Sequence, residues 1–240
     1  MESRETKNSQ AKTSLPNHLY GLLPESVRIV LTTLCQVGFF ERSTLIGTWV
    51  MFFYRAIHDI RYAASTSDID MAVQVAYRKG GSIIDLEKVL QEIGAISDLS
   101  SDGLLRFIIP EFRIEFITQN KGSRTKEQDI VFIPEWNINA QPLPFIRMLL
   151  DFTEKVSIGD FYVRIPVPEA FFVHKLIIAN RRRDNSKKEK DLDQCRILSG
   201  ILGDEKLQQV IKSERFGPRT KKLIQRSCET IDFPFQRLGI

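Results

Sequence analysis

The sequence predicts an α/β (α+β) fold: a mixed β-sheet with flanking helices, followed by a helical C-terminal region. Three observations carry this. Short β-branched and aromatic runs alternate with apolar-periodic helical runs up to about residue 167. After Pro168 the periodicity becomes helical and stays so. At 240 residues, with 42% hydrophobic and 27% charged side chains, the chain has the length and balance to bury a substantial core.

The elements follow in order. Residues 1–20 are polar and mixed in charge, and read as a disordered or loosely attached tail. Pro24-Glu25-Ser26 opens an apolar-periodic helix over 27–40. Residues 43–47, STLIG, are a short strand ending in a turn, and 48–60 continue as a strongly apolar helix. Its Trp49, Phe52 and Phe53 are core residues rather than a base-stacking platform. A strand at 70–75 precedes an amphipathic helix at 85–93, with Leu86, Val89, Leu90 and Ile93 on one face. Strands at 104–109 and 112–118 are separated by Pro110. A polar, basic hairpin loop covers 119–128, and a short strand 130–133. Residues 143–154 read as helix and 161–167 as a strand. Helices are predicted at 169–183, 189–202, 204–212 and 219–231. The expected division is a tail at 1–20, a core at 21–140 and a mostly helical region at 141–240.

Composition narrows the function. Cys35, Cys195 and Cys228 are too few and too scattered for a disulfide framework or a zinc site, and read as thiols in a reducing compartment. No apolar run approaches the roughly 20 residues needed to span a bilayer. The polar start, MESRETKNSQAKTS, lacks the apolar stretch of a secretory signal, so a cytoplasmic protein with no membrane partner is expected. Net charge is +4, but residues 175–226 hold 15 Lys/Arg against 7 Asp/Glu, which leaves the remainder net negative. An acidic part beside a basic part suits a polyanionic substrate, a nucleoside triphosphate or a nucleic acid. A solvated helical surface would give the same surplus.

The chemistry-bearing stretch runs over 45–73, LIGTWVMFFYRAIHDIRYAASTSDIDMAV. In an extended chain alternate side chains share a face, so Asp68 and Asp70 project together while Ile69 turns to the core. Two close carboxylates repel and want a counter-charge. Mg²⁺ supplies it, usually through one or two carboxylates plus substrate phosphates. In FRIEFIT (112–118), Glu115 stands in a strand that otherwise reads as core, where a carboxylate is costly unless paired or metal-bound. Glu115 is therefore the candidate third arm of a site for one or two Mg²⁺ ions, with a salt bridge to Arg113 or a neighbouring charge as the alternative. His174 reads as a packed structural histidine. Arg181, Arg182 and Arg183 with Lys187 and Lys188 read either as a nucleic-acid backbone contact or as a helix C-terminus with a solvated loop. No serine triad, zinc spacing or P-loop is present.

A glycine turn, a helix, a polar stretch, D-x-D on a strand and a lone acid on a later strand together resemble the nucleotidyltransferase superfamily, with its polymerase β-like fold. IPVPEAFFVHKLIIANRRRDNSKKEKDLDQCRIL (165–198) is similar to the segment in minimal bacterial and abortive-infection toxin-like members where Pro precedes a Lys-bearing helix, followed by Arg and a Lys-Asp pair. The resemblance covers roughly residues 25–200. It implies that Gly47 and Thr48 approach the triphosphate, with Ser67 in the lead-in, that Asp68, Asp70 and Glu115 hold metal and act catalytically, and that Lys175, Arg182 and Asp191 contact substrate. Here the turn is Gly-Thr where such families usually show Gly-Ser or Gly-Gly, and the third acid is Glu rather than Asp.

The expected activity is Mg²⁺-dependent transfer of a nucleotidyl group from an NTP donor to an acceptor hydroxyl on nucleic acid, protein or a small molecule. Nucleic acid would be held by the basic C-terminal half. The alternatives are a non-catalytic nucleic-acid-binding or regulatory module on the same fold, and a metal-dependent nuclease using the same acids.

Overall fold

A computed structural model of the chain describes residues 13–16, 20–63, 65–75, 83–100, 103–120 and 129–240. Two sheets and a helical layer share one core. The larger sheet is built from β2 (Ser43–Ile46), β3 (Asp68–Val73), β4 (Ile96–Leu99), β5 (Leu105–Ile109), β6 (Phe112–Gln119), β7 (Val131–Ile133) and β8 (Ile138–Leu143). Its order is β2-β3-β6-β5-β4, with β8 beside the C-terminal part of β6 and β7 beside β8. Strand β3 runs parallel to β6 and antiparallel to β2. The Thr118 hydroxyl donates to the Val73 carbonyl (2.8 Å), a side-chain tie between β6 and β3. The smaller sheet has the order β1 (Thr13–Leu15), β9 (Thr153–Ile158), β10 (Phe161–Pro166).

Helix α1 (Glu25–Gln36) starts after Pro24, which supplies a fixed φ at the helix entry. Its chain turns through Gly38, at φ +75°, into a 3₁₀ turn at Phe39–Glu41. Helix α2 (Trp49–His58) follows β2 directly, and the Tyr54 hydroxyl donates to the Pro166 carbonyl (2.7 Å) to join it to β10. The short helices α3 (Leu86–Glu92) and α4 (Ile146–Asp151) flank the sheet. Helix α5 (Pro168–Ala179) is the pivot of the helical layer. It is buried on nearly every side, as an all-round apolar helix must be. Around it pack α4, α6 (Asn185–Leu198), α7 (Asp204–Ser213) and α8 (Pro218–Thr230).

Most elements stand where the pattern predicts them, and the exceptions have physical causes. The stretch read as a tail contains β1, which pairs in parallel with β9 about 140 residues away in sequence and buries Leu15. Nothing local in Thr-Ser-Leu announces such a strand. Residues 1–12 and 17–19 lie outside the described residues, as does 121–128 of the expected hairpin loop. Residues 143–154 hold only the short α4. Glu154 and Lys155, good helix formers, instead open β9. Strand β8 (INAQPL) was not predicted, because Ala140 and Pro142 occupy its buried positions and are poor strand formers. Residues 141–166 are thus largely strand, and the helical region begins at Pro168. The helix predicted at 169–183 stops at Ala179. Asp184 restarts the chain by accepting the Ser186 and Lys187 amides, so α6 begins four residues before the predicted 189. The three cysteines are unpaired. Among the described residues, no helix is long and apolar enough to cross a membrane.

Candidate functional site

Strand parity and register assemble the acids. Asp70 lies opposite Glu115 and Asp68 opposite Arg113 in the parallel β3–β6 pair, so all four side chains share one face. Ile69 and Ile114, on the other face, are fully buried. On the far side of β3, Ile46 is the partner of Asp70, and the next residue is Gly47 at φ +72°. A Cβ at Gly47 would lie 2.0 Å from Asp70 Oδ2, so only glycine lets the turn run against this carboxylate. Thr48 follows at the start of α2 and is buried.

These residues line a cleft of about 350 Å³ between the sheet and the helical layer. Phe171, His174, Lys175 and Ile178 of α5 line it, at the spacing of one helical face; Arg181 and Arg182 line it just past the helix end, and α6 adds Lys187, Lys190 and Asp191. Asp191, 3% exposed, accepts from Lys175 Nζ (2.5 Å) on one oxygen and from Arg182 Nε (3.0 Å) on the other. Burial alone would raise the Asp191 pKa, but Lys175 and Arg182 together hold it below the usual carboxylate range. Lys190 Nζ reaches across to the Ser65 carbonyl (2.8 Å), and Gln194 Nε2 donates to the Tyr62 hydroxyl (2.9 Å). Helix α6 therefore clamps the lead-in to the acid-bearing strand.

The sheet side is electrostatically different. Asp68 and Asp70 have no ion-pair partner among the described residues. Burial pushes Asp70 up to about 6, with Glu115 and Asp68 adding and Lys175 and Arg182 opposing. Glu115 is held by Arg106 on β5 (2.9 Å), with Arg113 at 3.9 Å. Of the two readings of Glu115 open in the sequence, the salt bridge is present, and the acid still lines the cleft beside Asp70. Among the described residues no group of three or more His, Cys, Asp or Glu side chains is arranged to hold a metal ion.

Gly47, Thr48, Asp68, Asp70, Glu115, Lys175, Arg182 and Asp191 all line this one cleft. Ser67 does not. It has the opposite parity to Asp68 and Asp70, is exposed, and offers its carbonyl to the Arg113 amide (2.7 Å), while Thr66 lines the cleft in its place. Lys175, Arg182 and Asp191, expected as separate substrate contacts, form one ion cluster. Arg182 belongs to that cluster, and Arg181 beside it also lines the cleft, whereas Arg183 does not. Sequence reasoning missed Gln141 and Lys190 and set His174 aside. His174 is buried with Nδ1 unpartnered, and burial, followed by Lys175, pushes its pKa down to about 3. The α5 spacing could have found His174, whereas Gln141 needed the unpredicted β8.

The profile described as nucleotidyltransferase matches residues 25–215. The chain belongs to the nucleotidyltransferase family. Among solved structures, this family member is similar to the antibiotic-resistance factor ANT(2'')-Ia, at 14% identity over 86% of this chain and 99% of that one, with a TM-score of 0.43. It is also similar to an antigenic nucleotidyltransferase-like protein from Paracoccidioides brasiliensis, at 10% identity over 92% of this chain and 89% of that one, with a TM-score of 0.43. A comparison with curated protein sequences finds no match.

Proposed function

We propose that this nucleotidyltransferase moves a nucleotidyl group from a Mg-bound nucleoside triphosphate to an acceptor hydroxyl, in the cleft between β3, β6 and α5. The observation that carries the reading is the Asp68–Asp70 pair, which has no ion-pair partner among the described residues, with Asp70 against the Gly47 turn and Lys175 and Arg182 among the cations of the opposite wall. Hard oxygen donors that lack a counter-charge suit Mg²⁺, which completes its shell with substrate phosphates rather than with a full protein cage. Two carboxylates are enough for such a site, so the want of a three-residue ligand group does not count against it. When bound, the ion supplies charge stabilisation for the departing pyrophosphate and orients the reacting oxygens.

The chain's own residues do the rest. The Gly47 turn brings backbone within reach of the phosphates. Asp68 and Asp70 orient the metal-bound triphosphate. The Lys175–Asp191–Arg182 cluster fixes cationic groups that would otherwise lean toward Asp70, so their field on the triphosphate is preorganised. Glu115, freed from Arg106, is placed to accept the acceptor's proton or to join the metal shell. The test is incubation of the protein with each labelled NTP, with and without Mg²⁺, and with a pool of RNA, protein and small-molecule acceptors. Label transfer that requires Mg²⁺ and is lost in Asp68→Asn supports the reading. NTP binding without transfer to any acceptor favours the regulatory module, and release of nucleotides from the RNA pool favours the nuclease.

A further inference from the structure

Helix α8 carries charge of one sign on its outer face. Residues 212–226 hold six Lys/Arg and a single acid, Glu214. Arg215 precedes the helix, and Arg219, Lys222 and Arg226 follow at steps of four, three and four. That is the spacing of one helical face, and it lies opposite the buried Ile224, Ser227 and Cys228. All four cations are exposed, and none is in an ion pair among the described residues. Helix α7 shows the ordinary arrangement, with Asp204 and Glu205 in the first turn and Lys212 in the last, as the helix dipole favours. Helix α8 reverses it. Its opening residues include Arg219 and Lys221 and no acid, and like charges one turn apart repel. Folding gains nothing from this ridge, whereas a polyanion laid along it would relieve both penalties.

The ridge begins at the cleft. Pro144 and Ile146 line the cleft and flank Phe145 in the chain. The Phe145 ring lies 6.0 Å from that of Phe216 and carries the Arg181 guanidinium at 5.4 Å. Arg215 is the neighbour of Phe216. Asn180 Nδ2 donates to the Leu223 carbonyl (3.1 Å) and to the Ser227 hydroxyl (2.7 Å), which fixes α8 against the end of α5 where Arg181 begins.

We propose that the acceptor is a nucleic-acid strand whose phosphates lie along the Arg215–Arg226 ridge while its terminal hydroxyl enters the cleft past Arg181. The inference rests on the nucleotidyl-transfer reading and names the acceptor class. From Arg219 to Arg226 the helix rises about 10 Å, the length of about three phosphates along one helical strand. Three of the four ridge cations are arginines, whose planar fork fits phosphate oxygens. The ridge is one side chain wide, which suits a line of phosphates rather than the roughly 800 Å² face of a protein partner. A membrane surface would need apolar side chains beside the cations, and none of the large exposed hydrophobic residues lies on α7 or α8.

The test uses the full chain as wild type, as the ridge variant Arg219→Gln/Lys222→Gln/Arg226→Gln, and as a control that loses equal charge elsewhere, Arg55→Gln/Arg61→Gln/Lys88→Gln. Each is checked for a cooperative melt, and Arg219→Gln and Lys222→Gln alone serve if the triple variant does not fold. Binding of labelled single-stranded RNA and DNA and of a polyglutamate peptide is titrated over a salt series, beside Mg-NTP. The ridge variant should bind either strand about 100-fold more weakly at about 0.1 M salt, with a salt slope lower by about 2. Its Mg-NTP affinity should equal that of wild type, and the control should bind strands within about threefold of wild type. Strand binding that the ridge variant retains, or that the control loses equally, overturns the proposal, as does polyglutamate bound as tightly as either strand. Transfer of label to a small molecule or protein, with no strand bound, also overturns it and leaves nucleotidyl transfer standing. Ridge-dependent strand binding without transfer of label keeps the ridge as a nucleic-acid surface and overturns its acceptor role together with the transfer reading.

Discussion

Asp191→Asn is predicted to cost the fold more than any other single change at the cleft, because it strands a buried ammonium. In the pair, the Asp191 side chain is 4% exposed and that of Lys175 is 8% exposed, so water screens neither. Arg182, whose side chain is 40% exposed, can rehydrate and is discounted. Breaking a buried pair by removing one partner costs about 3–5 kcal/mol, and an asparagine oxygen that still accepts one hydrogen bond puts this case near the lower end. For a chain of this size each kcal/mol moves the melting temperature by about 2–4 °C, so the expected drop is about 6–12 °C. Lys175→Met with Asp191→Asn removes the stranded charge and should recover at least half of that loss. Asp191 titrates below the usual range in the folded protein. Its contribution is therefore present above about pH 4 and is lost as pH falls through the depressed value. The gap between wild type and Asp191→Asn should stay constant from about pH 8 to 5 and close below about 4. Calorimetric melts of wild type, both single variants and the double variant across this range decide it. Additive single effects, or a drop of less than about 2 °C, would refute the argument.

Other expectations follow from the same geometry. Gly47→Ala should lower stability by about 1–3 kcal/mol and abolish nucleotide binding, since its Cβ would stand 2.0 Å from Asp70 Oδ2 at a positive φ; wild-type melting with wild-type binding would contradict this. Asp70→Asn should end transfer while leaving the metal-free melt unchanged or higher. With the carboxyl pushed up to about 6, the relief is at most about 3 kcal/mol, and a collapsed melt would point to a structural role instead. Glu154, on β9, has a buried, unpartnered Oε1, and its pKa is raised by burial and then by Glu169, against Lys206. Its protonated form stabilises the fold at low pH, and that stability falls as pH rises through the raised value. Glu154→Gln should therefore melt above wild type at pH 8, with the gap closing toward about pH 4; a gap independent of pH would count against it.

Much of the site was legible in the chain because period-2 alternation is a local property. Asp68-Ile69-Asp70 and Arg113-Ile114-Glu115 each state which side chains face together, and the parallel β3–β6 register then aligns one triplet with the other. The same parity shows why Ser67 stands apart from its neighbours. Helical spacing likewise announces the cleft-facing side of α5. The weak alternation in INAQPL hid β8 and with it Gln141. β1 was hidden because three residues become a strand only when β9 is beside them.

What the sequence by itself determined is the order of the elements, the acids that share a face and the family to which the chain belongs. Propensity, spacing and parity all act within a few residues. Only the tertiary structure decided how the charges are divided. It gave Asp191 to Lys175 and Arg182, gave Arg106 to Glu115, and left Asp68 and Asp70 without an ion-pair partner among the described residues. An ion pair depends on distance in space and on exclusion of water, and neither is written in the spacing of residues 70, 106, 115, 175 and 191 along the chain.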